Sequence, residues 1–202
     1  MEPIKVSPAG GVKARMREAI RQELTAAALT SIREVGFSNT TARAIAESVG
    51  VSERTFFRYF PTKEDAVLQP VEAMGSAIAS RLTERPAAET ELQALRRAFD
   101  VAVEAVAGDP QTMATIMEMN RAEPALRRRH LQQQDAWVTA LQAALAERRG
   151  SETDQAVTRM KCAVMLLAWE RALVSCFDGG NFTQVGANLD SALVELRGFL
   201  AV

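Results

Sequence analysis

Between Met16 and Val35, apolar residues at Ile20, Leu24, Ala27, Ala28, Ile32 and Val35 recur three and four positions apart, with Ser31 in the same stripe. That period places them on one side of a helix, and the Gly36-Phe37 pair supplies a left-handed stop with a hydrophobic contact behind it. Ala42, Ile45, Ala46 and Val49 repeat the pattern over two turns after Thr40 and Thr41, whose hydroxyls suit an N-terminal cap, and Gly50 closes the element. Ser52 caps a third helix in which Val51 before the cap meets Phe56 inside it, a staple that fixes the entry angle of the chain. Pro61 ends this helix, and the Thr62-x-x-Asp65 signal starts a fourth, which Pro70 is expected to kink or interrupt.

Everything beyond reads as helix, over about 71–85, 92–107, 110–121, 124–149, 152–178 and 182–201. The divisions are Asp109-Pro110 as cap and first-turn proline, Arg148-Arg149-Gly150 as a basic last turn before glycine, and Ser151-x-x-Asp154 and Asn181-x-x-Gln184 as openings. Arg85–Glu91 reads as a loop, and residues 1–11, with two prolines, a Gly pair and no period, as a flexible arm. The expectation is an all-α chain: the arm at 1–11, a three-helix helix-turn-helix domain at 12–62, and a helical effector-binding and dimerisation domain at 63–202.

Of 202 residues, 48% are hydrophobic and 24% charged, a globular balance. No stretch approaches the about 18 apolar residues of a membrane span, and the start lacks a secretion signal, so a cytoplasmic location is expected. Cys162 and Cys176 lie about 21 Å apart on one expected helix and cannot bridge each other, which favours buried thiols over a redox pair or a bridge between subunits. His130 is the single histidine. A metal site or histidine-based triad is therefore not expected, nor is any cofactor or enzymatic activity: Glu118 and Glu123 have no base near them in sequence, and no phosphate-cradling glycine loop occurs. Charge divides mildly. Ten Lys/Arg face eight Asp/Glu up to Pro70, and fourteen face seventeen after it.

The candidate chemistry sits in Val51–Asp65, where four aromatic rings fall within five positions. Phe56 and Phe60, one turn apart, belong with Ile45 and Val49 in a small core. Glu53, Arg54, Phe57 and Arg58 are left more outward, with Tyr59 and Lys63 at the exit. Two short helices around Gly50-Val51 form a helix-turn-helix, whose second helix can enter a major groove.

From about Arg17 to Leu68 the chain resembles the TetR family of bacterial transcriptional regulators. The likeness runs through Glu34-Val-Gly-Phe37, Thr40-Thr-Ala-Arg-Ala-Ile-Ala46 and Val49-Gly-Val-Ser-Glu-Arg-Thr-Phe-Phe-Arg-Tyr-Phe-Pro-Thr-Lys-Glu64. It implies that Thr41 and Arg43 reach phosphate and, for the arginine, a base edge. It further implies that Ser52, Glu53, Arg54 and Thr55 form the recognition face and that Tyr59 and Lys63 meet phosphate. Physically, an arginine pairs bidentately with guanine and a glutamate accepts from a cytosine amino group. Phe57 departs from the family's usual tyrosine, so its ring is expected to press on a thymine methyl or a sugar. Each position also has a plainer reading: Thr41 caps a helix in any case, Glu53 can hold Arg54 or Arg58 in a surface pair, Arg58 can be merely solvated and Tyr59 mostly core.

The resemblance also implies dimerisation through the last two helices and an inducer site. The apolar run Met160, Ala163, Val164, Leu166, Leu167, Trp169, Ala172, Leu173, Cys176 covers more than one stripe, and Gly186, Ala187 and Ala192 permit close helix approach. A pocket of Met74, Ile78, Phe99, Val103, Met113, Ile116, Met117, Asn120, Trp137, Leu141, Met165 and Trp169 is expected, since flexible thioethers suit an adaptable site as well as an ordinary core. Arg121 and Glu170 are further polar candidates. Arg127-Arg128-Arg129 point about 100° apart from one another and read as a solvated collar. The expected function is a ligand-responsive regulator, a repressor released from an inverted-repeat operator by a small, largely apolar effector and acting as a homodimer. Two rivals stand beside it: a helical small-molecule-binding protein with a vestigial helix-turn-helix, and a protein that binds DNA without sequence preference.

Overall fold

A computed structural model describes residues 8–149 and 154–200. The described residues form helices joined by turns, without strands: α1 (Pro8–Val35), α2 (Ala42–Ser48), α3 (Glu53–Tyr59), α4 (Lys63–Thr83), α5 (Glu91–Ala98), α6 (Asp100–Gly108), α7 (Pro110–Ala122), α8 (Pro124–Arg149), α9 (Gln155–Gly179) and α10 (Val185–Leu200). A short 3-10 turn, Phe182–Gln184, precedes α10. Among the described residues no helix is long and apolar enough to cross a membrane. The chain divides into two compact units, one up to Gln69 and one from Pro70 onward.

The first unit closes around Leu24, Ala28, Ile32, Phe37, Ile45, Phe56 and Phe60, all buried. Side-chain caps set its elements: Thr41 Oγ1 accepts from Ala44 N at 3.1 Å and Ser52 Oγ from Thr55 N at 3.1 Å. The turn between α2 and α3 bends at Gly50 with φ of 75°, where a side chain would be strained, and Val51 N donates to Ala46 O at 3.0 Å. Thr62 and Asp65 cap reciprocally, Asp65 N donating to Thr62 Oγ1 at 3.2 Å and Thr62 N to Asp65 Oδ2 at 3.0 Å.

Three expectations change. Helix α4 is continuous through Pro70, in place of breaking there. The missing N–H removes one ladder bond, and neighbours such as Val67, Leu68, Val71 and Met74 are buried, so packing holds the turn despite that loss. Pro8–Gly11, expected in the arm, are the opening of α1, where a proline in the first turn is tolerated; residues 1–7 lie outside the described residues. The expected 92–107 helix is two helices parted at Phe99, whose ring is fully buried and stands 5.5 Å from that of Trp169.

In the second unit α9 packs along α8 and α10. Asp154 caps α9, its carboxylate accepting from Ala156 N at 2.9 Å; Gly150 and Ser151, expected at this junction, lie outside the described residues. The loop before α5 is fastened by Arg148, which donates to Arg85 O at 3.3 Å, Glu89 O at 2.8 Å and Pro86 O. Cys162 and Cys176 are free and buried, and burial pushes the Cys162 thiol up to about 11, so it stays protonated at neutral pH.

Candidate functional site

Helix α3 is only seven residues long, and its sidedness follows from which rings the first unit takes in. Phe56, Tyr59 and Phe60 are buried, whereas Glu53, Arg54, Phe57 and Arg58 are exposed, Phe57 to 50% with its ring edge against Phe56 at 5.5 Å. Thr41, at the start of α2, and Arg43 are also exposed, Arg43 held by Glu47 at 2.8 Å, which raises the guanidinium above its ordinary value. Ser52 and Thr55 bond each other at 3.0 Å at the entry of α3.

Two residues of the expected contact set are turned inward. Tyr59 is 8% exposed, under Arg58, whose guanidinium lies 5.4 Å from its ring. Lys63 Nζ donates to Phe37 O at 2.7 Å and Thr40 O at 3.0 Å and stands 4.1 Å from the Phe37 ring. Carbonyls left over where α1 ends attract a cation, and the ring face adds to that pull. Lys63 thus fastens the α1–α2 connection, and its ammonium is not free for phosphate in this structure.

The second unit holds a cavity of about 400 Å³. Helix α4 contributes Val71 and Met74; α7 contributes Met113, Ile116, Met117, Asn120 and Arg121. From α8 come Arg127, His130, Leu131, Gln134 and Trp137, and from α9 Leu166, Trp169, Glu170, Leu173 and Val174. Of the twelve pocket residues expected from the sequence, Met74, Met113, Ile116, Met117, Asn120, Trp137 and Trp169 line this space. Ile78, Phe99, Val103, Leu141 and Met165 do not. Four of these five are at most 1% exposed and belong to the packed interior, and Val103 packs on Gly186, where an added Cβ would stand 3.2 Å from its methyl. The small residue at 186 therefore serves contact with α6 within this chain, not the helix approach between subunits expected for it.

Sequence reasoning named Asn120, Arg121 and Glu170 and missed the polar members that α8 brings to the wall, Arg127, His130 and Gln134. Arg127, His130, Leu131, Gln134 and Trp137 follow three-and-four spacing on α8, as Leu166, Trp169, Glu170 and Leu173 do on α9, but a search for apolar stripes skips the polar members on α8. Gln134 joins them: its amide nitrogen lies 3.0 Å from His130 Nε2 and also donates to Glu170 Oε1. Burial holds His130 below the ordinary histidine value and pushes the Glu170 carboxyl up. Asn120 Oδ1 and His130 Nδ1 are buried without a hydrogen-bond partner among the described residues. Across the cavity, Trp137 packs closely on α4 at Gly75. A Cβ built there would stand 2.1 Å from the indole Nε1, so only glycine admits the ring. Among the described residues no group of three or more His, Cys, Asp or Glu is placed to hold a metal ion.

The profile of bacterial regulatory proteins of the tetR family matches residues 24–69. The HTH-type transcriptional regulator TcmR of Streptomyces glaucescens is 32% identical over 152 residues, 71% of this chain and 66% of that protein. Nucleoid occlusion factor SlmA of Haemophilus influenzae strain PittGG is 30% identical over 116 residues, 57% of this chain and 47% of that protein. The chain thus spans just under two thirds of the first relative's length and about half of the second's. Among solved structures, the Thermus thermophilus TetR-family repressor FadR, in complex with lauroyl-CoA, superposes with a TM-score of 0.51 at 23% identity, over 86% of this chain and 91% of that one. A Mesorhizobium loti protein described as a TetR-family transcriptional regulator gives 0.54 at 17%, over 92% and 96%. These two likenesses speak for the fold. With the profile seated on the helix-turn-helix, and a 32% identical regulator matching well beyond it, this chain belongs to the TetR family of bacterial regulatory proteins.

Proposed function

We propose that the chain is a DNA-binding transcriptional regulator, a repressor that a small, largely apolar effector releases from an inverted-repeat operator. The observation that carries this reading is the course of α4. It begins at Lys63, four residues after α3 ends, and its later turns wall the cavity, with Trp137 resting on Gly75. A molecule that displaces Trp137 must also press on α4, the element that follows directly from the reading head. In this mechanism Arg54 and Glu53 read base edges, Thr41, Arg43, Ser52 and Thr55 position the helix, and Phe57 covers a thymine methyl or sugar. Lys63 and Tyr59 support that face from within.

Homodimerisation completes the proposal. Met160, Leu167 and Val174 recur every seven residues along α9 and are exposed, as are Val194 and Phe199 on α10. A second copy would cover these faces in a four-helix interface and present two reading heads to half-sites about 34–36 Å apart. By linkage, DNA must weaken effector binding by the factor by which effector weakens DNA binding. The Haemophilus relative, named a nucleoid occlusion factor, favours a second reading, a DNA-bound protein with another task.

The test is footprinting of the purified protein on DNA flanking its own gene. Protection of an inverted repeat, preferred over unrelated DNA by about 4–10 kcal/mol, supports the regulator. Binding that follows salt alone, with no preferred site, points to a nonspecific DNA-binding protein. No DNA binding at all points to a vestigial helix-turn-helix.

A further inference from the structure

We infer that the cavity accepts a lipophilic cation, an apolar and largely aromatic body carrying one positive charge, with Glu170 as its counter-ion. The inference rests on the cavity being the effector site and goes further by naming what charge the ligand bears. Glu170 is partly buried in a wall that is otherwise mostly apolar. Its carboxylate accepts one hydrogen bond, from the neutral amide of Gln134, and forms no ion pair among the described residues. Burial pushes its carboxyl up, the direction expected of a carboxylate that loses water without gaining an ion-pair partner. An uncompensated carboxylate at the edge of an apolar space is stabilised most by a ligand that brings the missing charge.

The neighbouring groups agree with that assignment. Gln134 presents its amide N–H groups to both Glu170 Oε1 and His130 Nε2, which places the imidazole proton on Nδ1 and leaves the ring neutral. The histidine therefore adds no competing positive charge. Trp169 precedes Glu170 on α9, and Trp137 faces the same space from α8, so two indoles flank the site, the strongest aromatic partners for a cation. Of the two arginines in the wall, Arg121 is paired with Asp178 at 3.0 Å and stacked 4.4 Å from the Phe177 ring. Arg127 is exposed, where water screens it. The thioethers of Met74, Met113 and Met117 supply polarizable, adaptable walls for the apolar body.

The chain's two tryptophans both line this cavity, so intrinsic fluorescence reports on it alone. Tetraphenylphosphonium and tetraphenylborate have nearly the same shape and opposite charge, and Nile red serves as a neutral apolar probe. Titrating the full chain with each, the phosphonium is expected to bind at least about tenfold more tightly than the borate, and Glu170→Gln to erase about tenfold of its affinity. A urea unfolding midpoint close to the parent's shows that the variant is folded. Nile red binding without a preference for the cation, or a phosphonium affinity indifferent to Glu170→Gln, overturns the assigned charge and leaves the cavity as a ligand site. Silence of the tryptophans toward all three probes overturns the effector-site reading and this inference with it.

Discussion

Lys63 stands where a phosphate contact is expected, yet its ammonium is committed to the carbonyls of Phe37 and Thr40. Hydrogen bonds from a charged donor are worth about 1.5–3 kcal/mol each, so Lys63→Ala should lower the unfolding free energy by about 2 kcal/mol in urea titrations. The salt slope of operator binding should hardly move. Arg54, free and outward on α3, is the opposite case: Arg54→Ala should relax base preference at one position per half-site, costing about 1–3 kcal/mol at the preferred site in binding-site selection. Nothing in the local sequence separates these two cations, because Lys63 is turned inward by carbonyls more than twenty positions away. His130 was legible only as an isolated histidine, since its polar partners are one turn away and on another helix. Its depressed proton affinity means the unfolded chain takes up a proton that the folded chain resists, so stability present at neutral pH is lost as pH falls below about 6.5. Glu170, shifted upward, works in the opposite sense: the folded carboxyl takes up its proton at higher pH than the unfolded one. Measured by urea unfolding at pH 7.5 and 5.5, the difference between the parent chain and His130→Gln reports the histidine's share, and the decline should be shallower in the variant.

At the scale of elements, punctuation was the most legible part of the sequence. Thr41, Ser52, Thr62, Asp109 and Asn181 each bond the start of the turn that follows, because a cap needs only neighbours in sequence, whereas Thr90, inside the stretch read as a loop, and Asp154, three positions after the expected cap, are caps that sequence reasoning did not name. Pro70 misled for the same reason: locally it is a breaker, and burial on either side outweighs it. The break at Phe99 went unseen because no glycine or proline marks it. Part of the cavity was likewise legible through its apolar and methionine positions and through Asn120, Arg121 and Glu170, whereas Arg127, His130 and Gln134 resemble a solvated face until α8 and α9 are set together. Gly75 looked unremarkable, and its role appears only with Trp137 in place. An alanine there must drive the indole off α4 and into the cavity, an overpacking cost of about 1–3 kcal/mol, partly offset by alanine's better helix propensity. Gly75→Ala should therefore weaken Nile red binding by an order of magnitude or more while operator affinity persists, measurable by tryptophan quenching and gel shift on the same preparation.

For the whole molecule, the proposed assembly depends on the faces of α9 and α10 that one chain leaves bare. Leu167→Glu places a charge in the middle of that face without touching either the cavity or α3, since Leu167 is 62% exposed. In analytical ultracentrifugation the variant should sediment as a monomer. Its operator affinity should fall steeply, because one reading head loses the concentrating effect of its twin. A dimer that persists in this variant would move the interface elsewhere. The glycine under Trp137 bears on inheritance as well as on binding. Every missense change at that codon adds at least a methyl group where the indole lies, so a genetic selection for cells that stay silenced in the presence of inducer should return position 75 again and again, in many chemical guises and with one phenotype.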